Sequence, residues 1–161
     1  MKEFADSPAQ ARVAKFLLEN GLGVNDAGKV VVNGVEIPAT HIAEAIGADR
    51  RVVDATARRI LSLDALSPVF RSMRATPDLS RVAEALGLSS FTVIPRNAQE
   101  KGIVSAVVKV VYGQNLTIRQ IFVTDPYFSE EPKLVVIIDE KIPRGLVEKI
   151  RNLPQVKQVI I

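Results

Sequence analysis

The chain has 161 residues, 47% of them hydrophobic and 24% charged, the balance of a folded chain with room for one ordinary domain or two small ones. It has no cysteine and one histidine, His41, which excludes disulfides, thiolate nucleophiles, the common zinc sites and any site needing two histidines of one chain. The net charge is +3, yet residues 1–88 carry 11 basic and 11 acidic side chains and residues 89–161 carry 10 and 7, so a polyanionic partner must be argued from particular arginines.

The longest apolar runs, Val30–Val32 and Leu134–Ile138, are far shorter than the roughly 20 residues that cross a bilayer. The first residues, Lys2-Glu3-Phe4-Ala5-Asp6, carry two acids and no apolar run, unlike a secretory signal, so the expected location is the cytoplasm and no membrane partner is expected.

Ser7-Pro8 reads as a helix start, with Val13, Phe16 and Leu17 at helical spacing and Asn20-Gly21 as the stop. Val30-Val31-Val32, Asn33-Gly34 and Val35-Glu36-Ile37 spell a hairpin with a two-residue type I′ turn. Residues 38–46 form a short helix with Ile42, Ala43 and Ile46 on its apolar face. Gly47-Ala48 breaks it, and Asp49 caps a second helix, 50–62, with Val52, Val53, Thr56, Ile60 and Leu61 inward. A short strand is expected over 68–73, and a connecting helix over 77–86 with Leu79, Val82, Ala83 and Leu86 as its stripe.

From Phe91 the pattern becomes strand 91–95, helix 101–112, strand 115–123, a polar turn over 124–132, strand 133–139, helix 143–153 and strand 155–161. On helix 101–112, Ile103, Val104, Val107, Val108 and Val111 share a side. On the next strand, Leu116, Ile118 and Phe122 are the candidates for burial. The order is β-α-β-β-α-β, the ferredoxin-like arrangement, in which two helices cover one face of a four-stranded sheet and the other face stays bare and in need of a partner.

Residues 37–53 resemble a helix-turn-helix. Ala43 is small where a second helix must cross, Gly47 tolerates the positive φ of the turn, and helix 50–62 offers polar groups outward to a major groove. Arg51, Asp54, Ala55, Arg58 and Ser62 lie on its outer face, flanked by Arg50 and Arg59, while Thr40 and His41 start the first helix, where phosphates bind well. The DNA-binding candidates are therefore Thr40, His41, Arg50, Arg51, Arg58 and Arg59. The competing reading is a solvated face with pairs such as Asp54–Arg58, and a capping or surface role for His41. Val82-Ala83-Glu84-Ala85-Leu86-Gly87 nearly repeats Ile42-Ala43-Glu44-Ala45-Ile46-Gly47. Residues 77–93 could then be a second helix-turn-helix; the early Pro95 and the strand-forming Phe91-Thr92-Val93-Ile94 favour a connecting helix instead, with Arg71, Arg74 and Arg81 as accessory phosphate contacts or as plain solvated charges.

Residues 91–161 resemble an ACT domain. Gly102 matches the family's glycine between first strand and first helix, with Gln99 and Lys101 where Asp and Pro often stand, and Gly113-Gln114-Asn115-Leu116 matches its later Gly-x-Asn-hydrophobic signature. Open N–H groups at a helix start can hold the carboxylate of an amino acid, and glycine lets it approach. The ligand-binding candidates are Asn97, Gln99, Gly102, Ile103 and Asn115. The alternative is that Gly102 serves only turn geometry and that the fold dimerises.

The two halves in this order resemble a family of archaeal predicted regulators of amino acid metabolism, with an N-terminal helix-turn-helix and a C-terminal ACT domain. The strongest local match is 37–61. The resemblance implies an α+β protein with a (winged) helix-turn-helix-like domain over 1–75, a connecting helix over 76–90 and a ferredoxin-like ACT domain over 91–161. It implies a homodimer or higher homo-oligomer that binds DNA and an amino acid or related small-molecule effector, with no cofactor and no metal. A second reading is a regulatory or interaction subunit of a metabolic enzyme that does not touch DNA, which the zero net charge of 1–88 favours. An enzyme is not expected, because Asp125, Asp139 and Glu140 near strand ends have no base, nucleophile or metal ligand beside them.

Overall fold

Pro8 in the first turn and left-handed Gly21 (φ 64°) bracket helix α1 (Pro8–Glu19), which buries Val13, Ala14 and Leu17. The structure is a computed structural model and describes residues 2–125, 129 and 131–161. The protein is α+β and divides into two units, Met1–Pro77 and Asp78–Ile161. Among the described residues, no helix is long and apolar enough to cross a membrane.

In the first unit, β1 (Gly23–Val24), β2 (Val30–Val32) and β3 (Val35–Glu36) form an antiparallel sheet in that order. Asn33 (φ 50°) and Gly34 (φ 89°) both take the positive φ that a type I′ turn requires, as the Asn-Gly pair predicts. Strand β1 is too short and glycine-bearing to be legible in the sequence. Helices α2 (Ala39–Ile46) and α3 (Arg50–Ser62) follow, joined through Gly47 (φ 62°). The Ala48 N–H reaches back to the Ala43 carbonyl at 2.9 Å and closes α2. The Asp49 carboxylate accepts the Arg51 N–H at 2.7 Å, a cap that contributes about 1 kcal/mol.

Where a strand is expected over 68–73, the structure has helix α4 (Ser67–Ser72). Pro68 sits in its first turn, and the Ser67 N–H is taken up by the Leu63 carbonyl at 2.8 Å, which starts the helix. Only Phe70 of this segment is buried, and it joins Leu17, Val53 and Ile60 in the core; the alternation needed for a half-buried strand is absent.

In the second unit, β4 (Ser89–Pro95), α5 (Ile103–Tyr112), β5 (Ile118–Val123), β6 (Leu134–Ile138), α6 (Leu146–Arg151) and β7 (Val156–Ile160) give a sheet of order β5-β6-β4-β7 with antiparallel neighbours, the ferredoxin-like topology. Phe91, Val136 and Ile138 of the sheet pack against Val107 and Val111 of α5 and Ile150 of α6. Of the polar turn expected over 124–132, Pro126, Tyr127, Phe128 and Glu130 lie outside the described residues.

Two expectations fail here. The second face of the sheet is not bare. Leu79, Ala83 and Leu88 pack on Val135, Ile137 and Phe122, so residues 78–88 cover the β5–β6 half themselves, and all five residues of β6 are buried. Nor do residues 77–86 form a helix; they make turns that end in a single 3-10 turn, Glu84–Leu86. Val82 and Leu86 of the expected stripe are exposed (45% and 57%), so only Leu79 and Ala83 gain by packing, too little apolar surface to hold a regular helix in place. The six-residue repeat encodes a shared ending. Gly87 (φ 73°) is left-handed like Gly47, and the Leu88 N–H reaches the Ala83 carbonyl at 2.8 Å as Ala48 reaches Ala43. Strand β4 follows the second copy, so no second reader helix forms there.

Candidate functional site

Helix α3 buries Val53, Thr56, Ala57 and Ile60, and the Thr56 hydroxyl donates to the Val52 carbonyl at 2.6 Å, which satisfies the one polar group in that stripe. At about 100° per residue the opposite side carries Arg51, Ala55, Arg58 and Ser62. Arg51 and Arg58 are exposed and, seven residues apart, stand roughly 10 Å from each other along the axis. Arg50 is exposed on the flank. Among the described residues none of these three makes an ion pair; the Asp54–Arg58 pair is not formed, and Asp54 is half-buried. Thr40 and His41 are exposed at the start of α2, where Pro38 offers no side-chain cap.

Arg59 corrects the candidate set. Its guanidinium donates to the Glu3 carbonyl (2.8 Å), the Asp6 carboxylate (2.7 Å) and the Gln10 amide oxygen (2.8 Å), and it lies over the Phe4 ring at 5.0 Å. Those donors are spent holding the 3-10 turn Lys2–Phe4 and α1 against α3, so Arg59 positions the helix and has little left for a phosphate. Arg71 is likewise engaged, by Asp26 at 2.6 Å.

The hydrogen bond from Arg59 holds the Asp6 carboxyl below its ordinary 3.8, with burial opposing. A carboxyl whose folded value is depressed contributes stability that is present above the ordinary value and lost as pH falls through the folded one. Thermal melts of the chain should therefore lose midpoint on acidification below pH 3.8, and Asp6→Asn should flatten that part of the profile while leaving its slope above pH 5 unchanged.

In the second unit the ligand candidates do not gather in one place. Gly102 (φ 90°) opens α5, in a conformation that favours glycine. It lines, with Ile103, Pro95, Val104, Val123 and Leu134, an apolar cavity of about 260 Å³. Asn97 and Gln99 line a different groove, about 440 Å³, with Arg96, Glu131, Lys157 and Gln158. The Asn97 side-chain oxygen accepts the Gln99 N–H at 3.0 Å and shapes the loop. Asn115 lies past the far end of the ten-residue α5, roughly 15 Å from Gly102. It is left-handed (φ 55°), and the Leu116 N–H returns to the Val111 carbonyl at 3.4 Å, so Asn115 serves to end the helix and not to line either cavity.

Arg96 and Lys157 also line the groove of Asn97 and Gln99 and are not among the residues that the sequence singles out. Arg96 adjoins Asn97, but Lys157 reaches the groove only through the pairing of β7 with β4, which no local pattern encodes. Of the three acids near strand ends, Asp139 pairs with Arg119 at 3.7 Å. Glu140 accepts the Thr117 N–H at 3.0 Å, a bond that holds its carboxyl below the ordinary value.

No protein-family profile and no curated protein matches the chain. Three solved structures are similar over 96% of it: PH0061 (14% identity, 88% of that chain, TM-score 0.31), MtbAldR (15%, 90%, 0.28) and an AsnC family transcriptional regulator from Agrobacterium tumefaciens (13%, 86%, 0.29).

Proposed function

We propose that the protein is a cytoplasmic, ligand-responsive transcriptional regulator that binds duplex DNA through α3 and an amino acid or related small metabolite through its ferredoxin-like unit. The observation that carries this is the outward face of α3. Arg51 and Arg58 stand exposed and, among the described residues, free of ion pairs on a helix that is capped, packed and preceded by a tight left-handed turn. Arginines so held can fork onto guanine edges or grip phosphates.

For the effector, the groove beside Asn97 and Gln99 supports a zwitterion. Arg96 and Lys157 suit a carboxylate, and Glu131 suits an ammonium group, the role left open where Gln99 replaces an acid. A homodimer through the exposed edge strand β7 would set two α3 helices on half-sites; Ile160 and Ile161 stand exposed there (45% and 76%). An effector would shift DNA affinity only as far as it distinguishes the free and DNA-bound arrangements.

The test is an anisotropy titration of the folded chain with labelled genomic duplexes over a potassium chloride series, with and without each amino acid. Affinity should fall linearly with salt on logarithmic axes. No binding even at low salt removes the DNA reading, and a titration and melting curve that no amino acid shifts remove the effector reading.

A further inference from the structure

We propose that Lys29, with Thr40 and Arg50, seats a backbone phosphate of duplex DNA in the groove between the β2–β3 hairpin and α3, an inference that rests on the reading of α3 as the DNA-contacting helix. The groove holds about 290 Å³. Lys29, Thr40 and Arg50 stand along it, and Val30, Val53 and Ala57 lie beneath. Lys29 and Arg50 are exposed, and among the described residues neither makes an ion pair.

The loop that carries Lys29 is built to hold it there. The Asn25 side-chain oxygen accepts the N–H groups of Ala27 and Lys29 at 3.1 and 2.9 Å, and the Asn25 N–H donates to the Lys29 carbonyl at 2.9 Å. Gly28 is left-handed (φ 71°), and a Cβ on it would stand 3.3 Å from Cγ of Arg58, so the loop backbone rests directly on the stem of a reader arginine. The backbone that carries a cation is thereby fixed beside α3 from a different element, 21 residues upstream of Arg50 in sequence.

Two acids share the groove. Glu36 is engaged, accepting from the Asn25 amide at 2.9 Å. Among the described residues Asp54 carries no such bond, and it opposes an anion, so the seat is weaker than its cations alone would make it. The position argues for phosphate and not for a base edge. Arg51 and Arg58 occupy the centre of the outward face, while Lys29 and Arg50 flank it, where a duplex laid on α3 would present its sugar–phosphate chain. A flanking cation strengthens binding on every sequence alike.

The experiment is an anisotropy titration of the full chain with a labelled duplex of mixed sequence over a potassium chloride series. Lys29→Ala should make the slope of log affinity against log salt shallower by about 0.9, equally for unrelated duplexes, and Lys29→Arg should retain the slope. Asp54→Asn should tighten binding. Thermal melts guard against misfolding, because Lys29 is exposed and its removal should leave the midpoint unchanged. A Lys29→Ala chain that binds DNA with the unaltered slope overturns the seat and leaves α3 as the reader. Failure of the unaltered chain to bind any duplex overturns the reading of α3 itself. Saturable shifts of the Thr40 amide signal with inorganic phosphate alone, combined with an unchanged duplex slope, mark a free-anion site and also overturn the proposal.

Discussion

Replacing Arg51 and Arg58 together by alanine should weaken duplex binding by about 2 kcal/mol or more, roughly thirtyfold, and flatten any preference among sequences. Both side chains leave α3 on the side opposite Val53 and Ile60, and among the described residues neither is tied to a carboxylate, so their donors are available to a partner at no cost in broken ion pairs. The fold should change little with their loss: Arg58 gives up only the contact of its stem with the Gly28 backbone, and exposed substitutions of this kind change stability by a few tenths of a kcal/mol. Arg59→Ala should do the reverse. It breaks three hydrogen bonds and a ring contact that fasten the first residues to α3, so its first effect is a lower melting temperature. Anisotropy and melting curves on the two variants separate contact from positioning. A double-arginine variant that binds as the unaltered chain does would end the case for α3 as the reader.

Gly23→Ala should destabilise the first unit by about 3 kcal/mol. A Cβ at Gly23 would lie 2.6 Å from the Phe70 carbonyl oxygen and 3.6 Å from that of Met73. These are backbone atoms, so no rotamer change relieves the clash. To make room, α4 must back away, and Phe70, 1% exposed and packed into the core, must move with it. Urea titration should show an earlier transition for this unit, with the ferredoxin-like unit unaffected. An unchanged midpoint would mean that residues 70–73 do not lie on β1 in solution.

Much of this was legible because it is local. Asn33-Gly34 demands a turn whose two central residues both have positive φ, Asp49 offers a carboxylate two residues before an open N–H, and alternating blocks of valine and isoleucine spell the order of the second unit. What escaped depends on contacts between residues far apart in the chain. Nothing near Arg59 indicates that Glu3 and Asp6 will claim it, since they lie 56 and 53 positions away. Phe70 reads as strand among Val69 and Met73, and becomes helical because its ring and carbonyl are fixed by a core assembled from α1, β1 and α3. The sheet face that local patterning leaves bare is covered by Leu79 and Ala83, whose own segment lacks the periodicity to announce a role. Asn115 matched a ligand signature by type and spacing, but a left-handed helix end explains the same residue at lower cost.

The Asn33 amide exchanges two hydrogen bonds with the backbone of Ala75, each 3.1 Å, at the tip of the hairpin. That clasp fixes where the chain can be divided. A fragment stopped at Ser72 would strip the hairpin tip of its acceptor and donor and uncover the back of Gly21, against which Ala75 lies so closely that a methyl group there would stand 2.9 Å from its Cα. A fragment carried through Pro77, where the first unit ends, keeps both, and the arginine-bearing helix should hold its native setting in it when severed from the ferredoxin-like unit.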